Sequence, residues 1–219
     1  GALAIGITAR SQIISMGNYV LRLQAGAGNV ARQIKASTIL PSDGVEWDLS
    51  RIVFGVGSGL SLNQLVVAGP SLGGYLATIF GRTFNDKVAA AFTFNAPVAY
   101  GGFGLLVNIA GLLGRAPSGF LDAGRQTNLV GDYIVSAVPG RRGETVRIFE
   151  ESDAHSQKSV VDALALYSVL GALDPNLKAG DVRDIVRARA NRDADSIESS
   201  LDGLRKIFLG PQIAATKPS

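Results

Sequence analysis

Apolar and polar positions alternate between two rhythms along the chain. Ala2 to Thr8 (ALAIGIT) is a short apolar run and reads as a buried strand. Gly17 to Ser37 carries Tyr19, Leu23, Val30 and Ile34 at roughly helical spacing, interrupted by Gly26 and Gly28, and Pro41 to Asp48 is turn-rich. Leu65 to Gly69 (LVVAG) is β-branched and apolar, which predicts a buried strand with a helix over Leu72 to Phe84 behind it. Ala89 to Asn95, Thr127 to Gly131 and Thr145 to Phe149 predict three more strands. Beyond them Val160, Val161, Leu164 and Tyr167 mark one face of a helix ending near Asp174, because Pro175 disfavours helix at the residue before it. Ile197, Leu201, Leu204 and Phe208 predict an amphipathic C-terminal helix stopped by Gly210-Pro211. Strands alternating with helices predict an α/β fold, a mainly parallel sheet flanked by helices. One domain over residues 1–210 and a frayed tail over 211–219 are expected.

Composition narrows the function classes. The chain has 219 residues, 47% apolar and 18% charged, enough for a sizeable core, and its mean hydropathy is +0.24. Net charge is +3 with no contiguous basic stripe, so nucleic acid is not an expected partner. Absence of Cys excludes disulfides and thiolate chemistry, and a single His, His155, excludes a His-cluster metal site. Ile52 to Gly81 and Val88 to Gly114 are uncharged and long enough to span a bilayer, but Pro70, Pro97, Asn63, Asn95 and several glycines interrupt them. No transmembrane segment is expected, and no signal peptide is read at the N-terminus.

Gly69-Pro70-Ser71-Leu72-Gly73 is G-x-S-x-G, directly after the LVVAG strand and directly before a predicted helix. That context is what a nucleophile elbow requires: small residues flank a serine held in a strained turn, with its hydroxyl above the sheet. The helix N-terminus favours developing negative charge, and the backbone N–H of Leu72 faces the future oxyanion. The competing reading of Ser71 is a helix N-cap. A serine hydroxyl needs a base and an acid, in chain order Ser, Asp, His for this arrangement. His155, in a polar loop after a predicted strand, supplies the base. Asp132, at the end of Asn128-Leu129-Val130-Gly131, supplies the acid, with Asp153, Asp122 and Asp86 as rivals.

VVAGPSLGGYLA, TFNAPVAYGG, NLVGDYIVSAVPG and AHSQKSVVDALALYSVLGALDP, taken in that order, resemble the class 3 lipases. They are still more similar to the lipase-like α/β-hydrolase domains of bacterial secreted enzymes. The resemblance covers Leu65 to Pro175. It implies an α/β-hydrolase fold with the elbow after a central strand, Ser71 as nucleophile, Asp132 as acid and His155 as base, and it favours a secreted bacterial enzyme over a cytoplasmic one, the location itself being left open by the sequence. Two departures stand out. Pro70 replaces the family's usual His before the nucleophile, and the upstream Arg-Gly-Thr-like oxyanion segment has only Gly6-Ile7-Thr8 as its counterpart, leaving Thr8 as a weak second donor.

The expected function is carboxylic-ester hydrolysis through an acyl-enzyme, on an ester or lipid substrate, with transient contact to a lipid surface and without cofactor or metal. The alternative is a catalytically inactive α/β-hydrolase module for lipid binding or protein interaction. Tyr100 to Gly124 packs Leu105, Leu106, Val107, Ile109, Leu112 and Leu113 into nine positions, and reads equally as an apolar lid or as a core helix. Gly26-Ala27-Gly28-Asn29-Val30-Ala31 matches a dinucleotide fingerprint with Glu46 downstream, but no apolar strand leads into Glu46, so nucleotide binding is not expected. Gly55 to Gly59 reads as a turn, and the interleaved charges of Asp181 to Arg192 as a solvated helix face.

Overall fold

The first element is a 23-residue helix, α1 (Ala2–Gln24), in place of the strand expected over Ala2 to Thr8. A seven-residue apolar run fits either structure. No turn residue separates it from Ala9 and the positions beyond, so the helix that buries Ala9, Ile13, Ile14 and Val20 extends back through it. The computed structural model describes residues 2–39, 44–57, 62–97, 103–115, 121–131, 142–149 and 157–189. They fall into two compact units, Gly1–Thr127 with Val138–Glu144, and Asn128–Ala137 with Thr145–Ser219.

Beyond α1 the helical spacing expected over Gly17 to Ser37 does not continue. The helix stops before Gly26 and Gly28, the latter at φ 80°, and β-branched residues then form short ribbons. These are β1 (Val30–Ala31), β2 (Ile34–Ala36), β3 (Val45–Trp47) and β4 (Val53–Phe54). β1 pairs antiparallel with β4, and β2 with β3. Asn18 ties the ribbons to α1. Its Nδ2 donates to the Ile34 carbonyl at 2.8 Å, and its Oδ1 accepts from the Ile34 N–H at 2.7 Å.

The main sheet comprises β5 (Leu65–Pro70), β6 (Val88–Phe94), β7 (Gln126–Gly131) and β8 (Glu144–Ile148), all close to the predicted strands. It is a four-stranded parallel sheet in the order β5-β6-β7-β8, flanked by helices, which makes the architecture α/β. Helix α2 (Leu72–Thr83) returns from β5 across β5 and β6, and α3 (Phe103–Leu112) follows β6. One core of the first unit gathers Ile13 and Ile14 of α1, Ile79 of α2, and Leu105, Leu106 and Ile109 of α3. A neighbouring one centres on Phe80, Phe84, Val88 and Leu121. Arg125, on a single 3-10 turn (Ala123–Arg125), donates to the Val88 carbonyl at 2.7 Å and to the Asn85 carbonyl at 3.2 Å, fixing the start of β6.

The second unit has its own core under α4 (Gln157–Leu173) and α5 (Ala179–Arg189). Ile148, Phe149, Ala163, Leu166, Leu170, Val182 and Val186 form it. The buried face of α4 is therefore Val160, Ala163, Leu166 and Leu170. Val161, predicted on that face, is 62% exposed. A stretch that is apolar all round carries little periodic signal, so the sequence pattern places the face one position off. Asp181 and Asp184 of α5 are exposed beside its buried Val182 and Val186, as expected of a solvated face. The predicted helix at 197–208 and the tail at 211–219 lie outside the described residues.

Candidate active site

Between the last residue of β5, Pro70, and the first of α2, Leu72, the chain turns on Ser71 alone. Ser71 has φ 47° and ψ −120°, outside both the right- and left-handed helical regions, a conformation almost reserved for glycine. Its backbone is held on both sides. The Ser71 N–H donates to the Phe94 carbonyl at the end of β6 (2.8 Å), and its carbonyl accepts from the Tyr75 N–H (3.1 Å). Ser71 occupies the N-cap position of α2, yet its hydroxyl makes no capping hydrogen bond. The side chain is exposed. The cap reading of this serine thus loses its physical basis, and its uncapped side chain sits at a helix N-terminus.

Steric crowding shows which glycines the turn needs. A Cβ on Gly69 would sit 2.6 Å from the Gly73 carbonyl oxygen. One on Gly74 would meet Ala96 Cβ at 2.6 Å and the Gly69 carbonyl at 2.6 Å. Gly73, the second glycine of the motif, has only Pro70 Cδ at 3.5 Å, ordinary contact. The turn therefore depends on Gly69 and Gly74, the latter outside the five-residue motif and announced only by the Gly-Gly pair. Asn95, which follows β6 beside the turn, also adopts a positive φ, 48°. Asn tolerates that conformation better than most residues, which is the one sequence signal that marks it.

Pro70 is compatible with this geometry. In a parallel ladder alternate N–H groups point to opposite neighbours. Since the Ser71 N–H faces β6, position 70 faces the other way, and a missing N–H there removes no bond to β6. Among the described residues β5 ends the sheet order, so the elbow follows an edge strand and not the central one expected. Residues 30–54 explain the difference: their strands pair with one another in ribbons and add none to β5.

Thr8 does not stand at a strand end. It lies inside α1, where a backbone N–H is consumed by the carbonyl four residues earlier, so it is unavailable to an oxyanion. The Leu72 N–H, in the first turn of α2, has no such intrahelical partner by helix geometry. Asp132 and His155 lie outside the described residues, as does Asp153. Of the other rivals, Asp86 precedes the amino end of β6, the end opposite Ser71, and is engaged by Arg115 (2.5 Å) and Lys87 (3.8 Å). Asp122 precedes the amino end of β7 and pairs with Arg125 at 3.5 Å. Neither is placed to orient a base beside Ser71.

Packing settles the apolar stretch after β6. Leu105, Leu106 and Ile109 are at most 3% exposed and pack with α1, α2 and β3, so α3 is a core helix. Gly26 and Ala27 form bridges to Gly57 and Gly55, where any Cβ on Gly55 or Gly57 would collide with the carbonyls of Ala25 or Leu23. That close backbone crossing explains Gly55 and Gly57, whereas Gly28 answers to its φ of 80°. The fingerprint-like segment is a strand contact and Gly55 to Gly57 is not a turn. Among the described residues no group of three or more His, Cys, Asp or Glu could hold a metal, and no helix is long and apolar enough to cross a membrane.

Comparison with protein-family models, curated proteins and solved structures returns no match. The likeness to class 3 lipases thus rests on the four sequence segments between Leu65 and Pro175.

Proposed function

We propose that the chain is a serine carboxylic-ester hydrolase of α/β-hydrolase type. The observation that carries this reading is Ser71 itself: exposed, uncapped, and held at φ 47° and ψ −120° in a one-residue strand-to-helix turn. Strain of this kind costs roughly 1–3 kcal/mol and persists where the surroundings impose it, as they do through Gly69, Gly74 and the bond to Phe94. In this reading the Ser71 hydroxyl attacks the acyl carbonyl while His155 takes its proton. His155 then returns the proton to the leaving alcohol, and the acyl-enzyme is hydrolysed by water through the same base. Asp132 orients His155 and stabilises the imidazolium, and the Leu72 N–H holds the oxyanion with a second donor other than Thr8.

The competing reading is an inactive module of the same fold, favoured by the loss of Thr8 as the second oxyanion donor. An alkyl fluorophosphonate separates the two. Covalent labelling that maps to Ser71, disappears in Ser71→Ala and accompanies hydrolysis of p-nitrophenyl esters supports the hydrolase. A folded wild-type protein that neither labels nor hydrolyses any ester of the series is the inactive module.

A further inference from the structure

The ribbon of β1 and β4 turns an apolar face outward. Val30 and Phe54 are directly paired, so their side chains share one face, and they are 62% and 54% exposed. Ile52 and Val56 lie two residues to either side of Phe54, on the same face by strand alternation, and are also exposed. Ala31, Gly55 and Gly57, at alternate positions, are buried. Four large apolar side chains in one exposed row exceed the scattered surface hydrophobes of an ordinary soluble face.

Basic residues predominate in the segments that form this row. No Asp or Glu occurs among residues 1–42 or 49–85, while Arg22, Arg32, Lys35 and Arg51 fall in those segments. Arg22 Nε donates to the Phe54 carbonyl at 3.3 Å, directly behind the row. Arg32, two residues beyond Val30, stacks over Trp47 at 3.7 Å. The carboxylates between the two segments offset part of this charge, and Asp48 lies within reach of the charges of Lys35 and Arg51. Glu46 pairs with Lys35 at 3.7 Å, and Asp48 accepts from the N–H of Ser50 at 3.1 Å and from its hydroxyl.

We propose that the β1–β4 ribbon docks the protein on an anionic lipid surface, with Phe54, Ile52, Val56 and Val30 entering the acyl boundary and Arg22, Arg32 and Arg51 facing the headgroups. An apolar row bordered by basic side chains is the pattern that such surfaces select, because burial of the row and attraction of the cations act together. A second copy of the chain fits less well, since its cations would be brought against those of the first. The contact needs no moving lid, in keeping with α3 in the core, and it is independent of the chemistry at Ser71.

Co-sedimentation of the full chain with phosphatidylcholine vesicles, with and without phosphatidylglycerol, tests this. Binding is expected only to the anionic vesicles, weakening as salt rises. Removing one cation, as in Arg51→Gln, should weaken it about fivefold. Phe54→Ser should weaken it by at least about tenfold at unchanged melting temperature, since Phe54 lies outside the core. No binding to anionic vesicles at low salt overturns the proposal. So does undiminished binding by a Phe54→Ser, Ile52→Ser double variant, or a concentration-dependent dimer that those substitutions abolish.

Discussion

Ser71 sits in a conformation that favours glycine, and that makes its role separable from its contribution to stability. Ser71→Gly should relieve the strain and raise stability by about 1 kcal/mol while abolishing ester hydrolysis and fluorophosphonate labelling; urea unfolding beside an activity assay checks both. The flanking glycines make a sharper contrast. Gly74→Ala pushes a methyl into Ala96 and the Gly69 carbonyl and should destabilise by roughly 2 kcal/mol or more, whereas Gly73→Ala, in ordinary contact, should be neutral or stabilising by up to about 1 kcal/mol. Equal effects in thermal melts would mean the crowding has been misassigned. Asp86 gives a pH test. Partial burial pushes its carboxyl up, but the hydrogen bond and charge of Arg115, with the charge of Lys87, outweigh that and hold it below the usual carboxylate range. Its stabilisation is therefore complete above the ordinary Asp range and fades as pH falls through the lowered value. The side chain is 60% exposed, so Asp86→Asn should cost less than about 1 kcal/mol at neutral pH, and the gap to wild type should close in acid. The strand–turn–helix context of Ser71 is legible in sequence because it is local. The demand on Gly74 is not, because it depends on Ala96, a residue of another segment.

Among elements, the strands and helix around Ser71 are legible nearly to the residue, since β5, α2 and β6 each carry an unbroken pattern bounded by turn residues. α1 and the ribbons are not. ALAIGIT has no period of its own, and two- or three-residue strands are specified by partners 9 to 24 positions away, such as Ala36 with Val45 and Val30 with Phe54. For α3 the lid and the core helix are equally good readings of the sequence, because an apolar run looks the same in both; only the packing of Leu105, Leu106 and Ile109 against α1, α2 and β3 separates them. The consequence is measurable. Leu106→Ala should cost about 2–5 kcal/mol, and replacing Leu105, Leu106, Leu112 and Leu113 together by Ser should leave no folded protein. A lid would behave differently: the quadruple variant would stay folded, keep short soluble esters as substrates and lose only aggregated long-chain ones.

The whole molecule carries one imidazole and no thiol, so any titration near neutral pH by a side chain of ordinary pKa belongs to His155. Ser71 has a defined geometry, while Asp132 and His155 rest on chain order and on the position of Asp132 after Gly131 at the carboxyl end of β7. That order is what the sequence alone offers for the proposed acid and base, because residue type and position suffice to state it; where their side chains lie depends on tertiary packing that no local pattern encodes. If His155 is the base, kcat/KM for a soluble ester should fall on the acid side along a single ionisation, since no second imidazole exists to broaden or replace it. Carbethoxylation of one residue should then abolish hydrolysis, hydroxylamine should restore it, and His155→Ala should lower kcat by several orders of magnitude with the fold intact by circular dichroism. The serine would remain exposed in that variant but would lack proton transfer, so its reaction with a fluorophosphonate should slow in parallel with turnover. Wild-type turnover in a folded His155→Ala protein would remove the imidazole from the mechanism and leave the serine without its base.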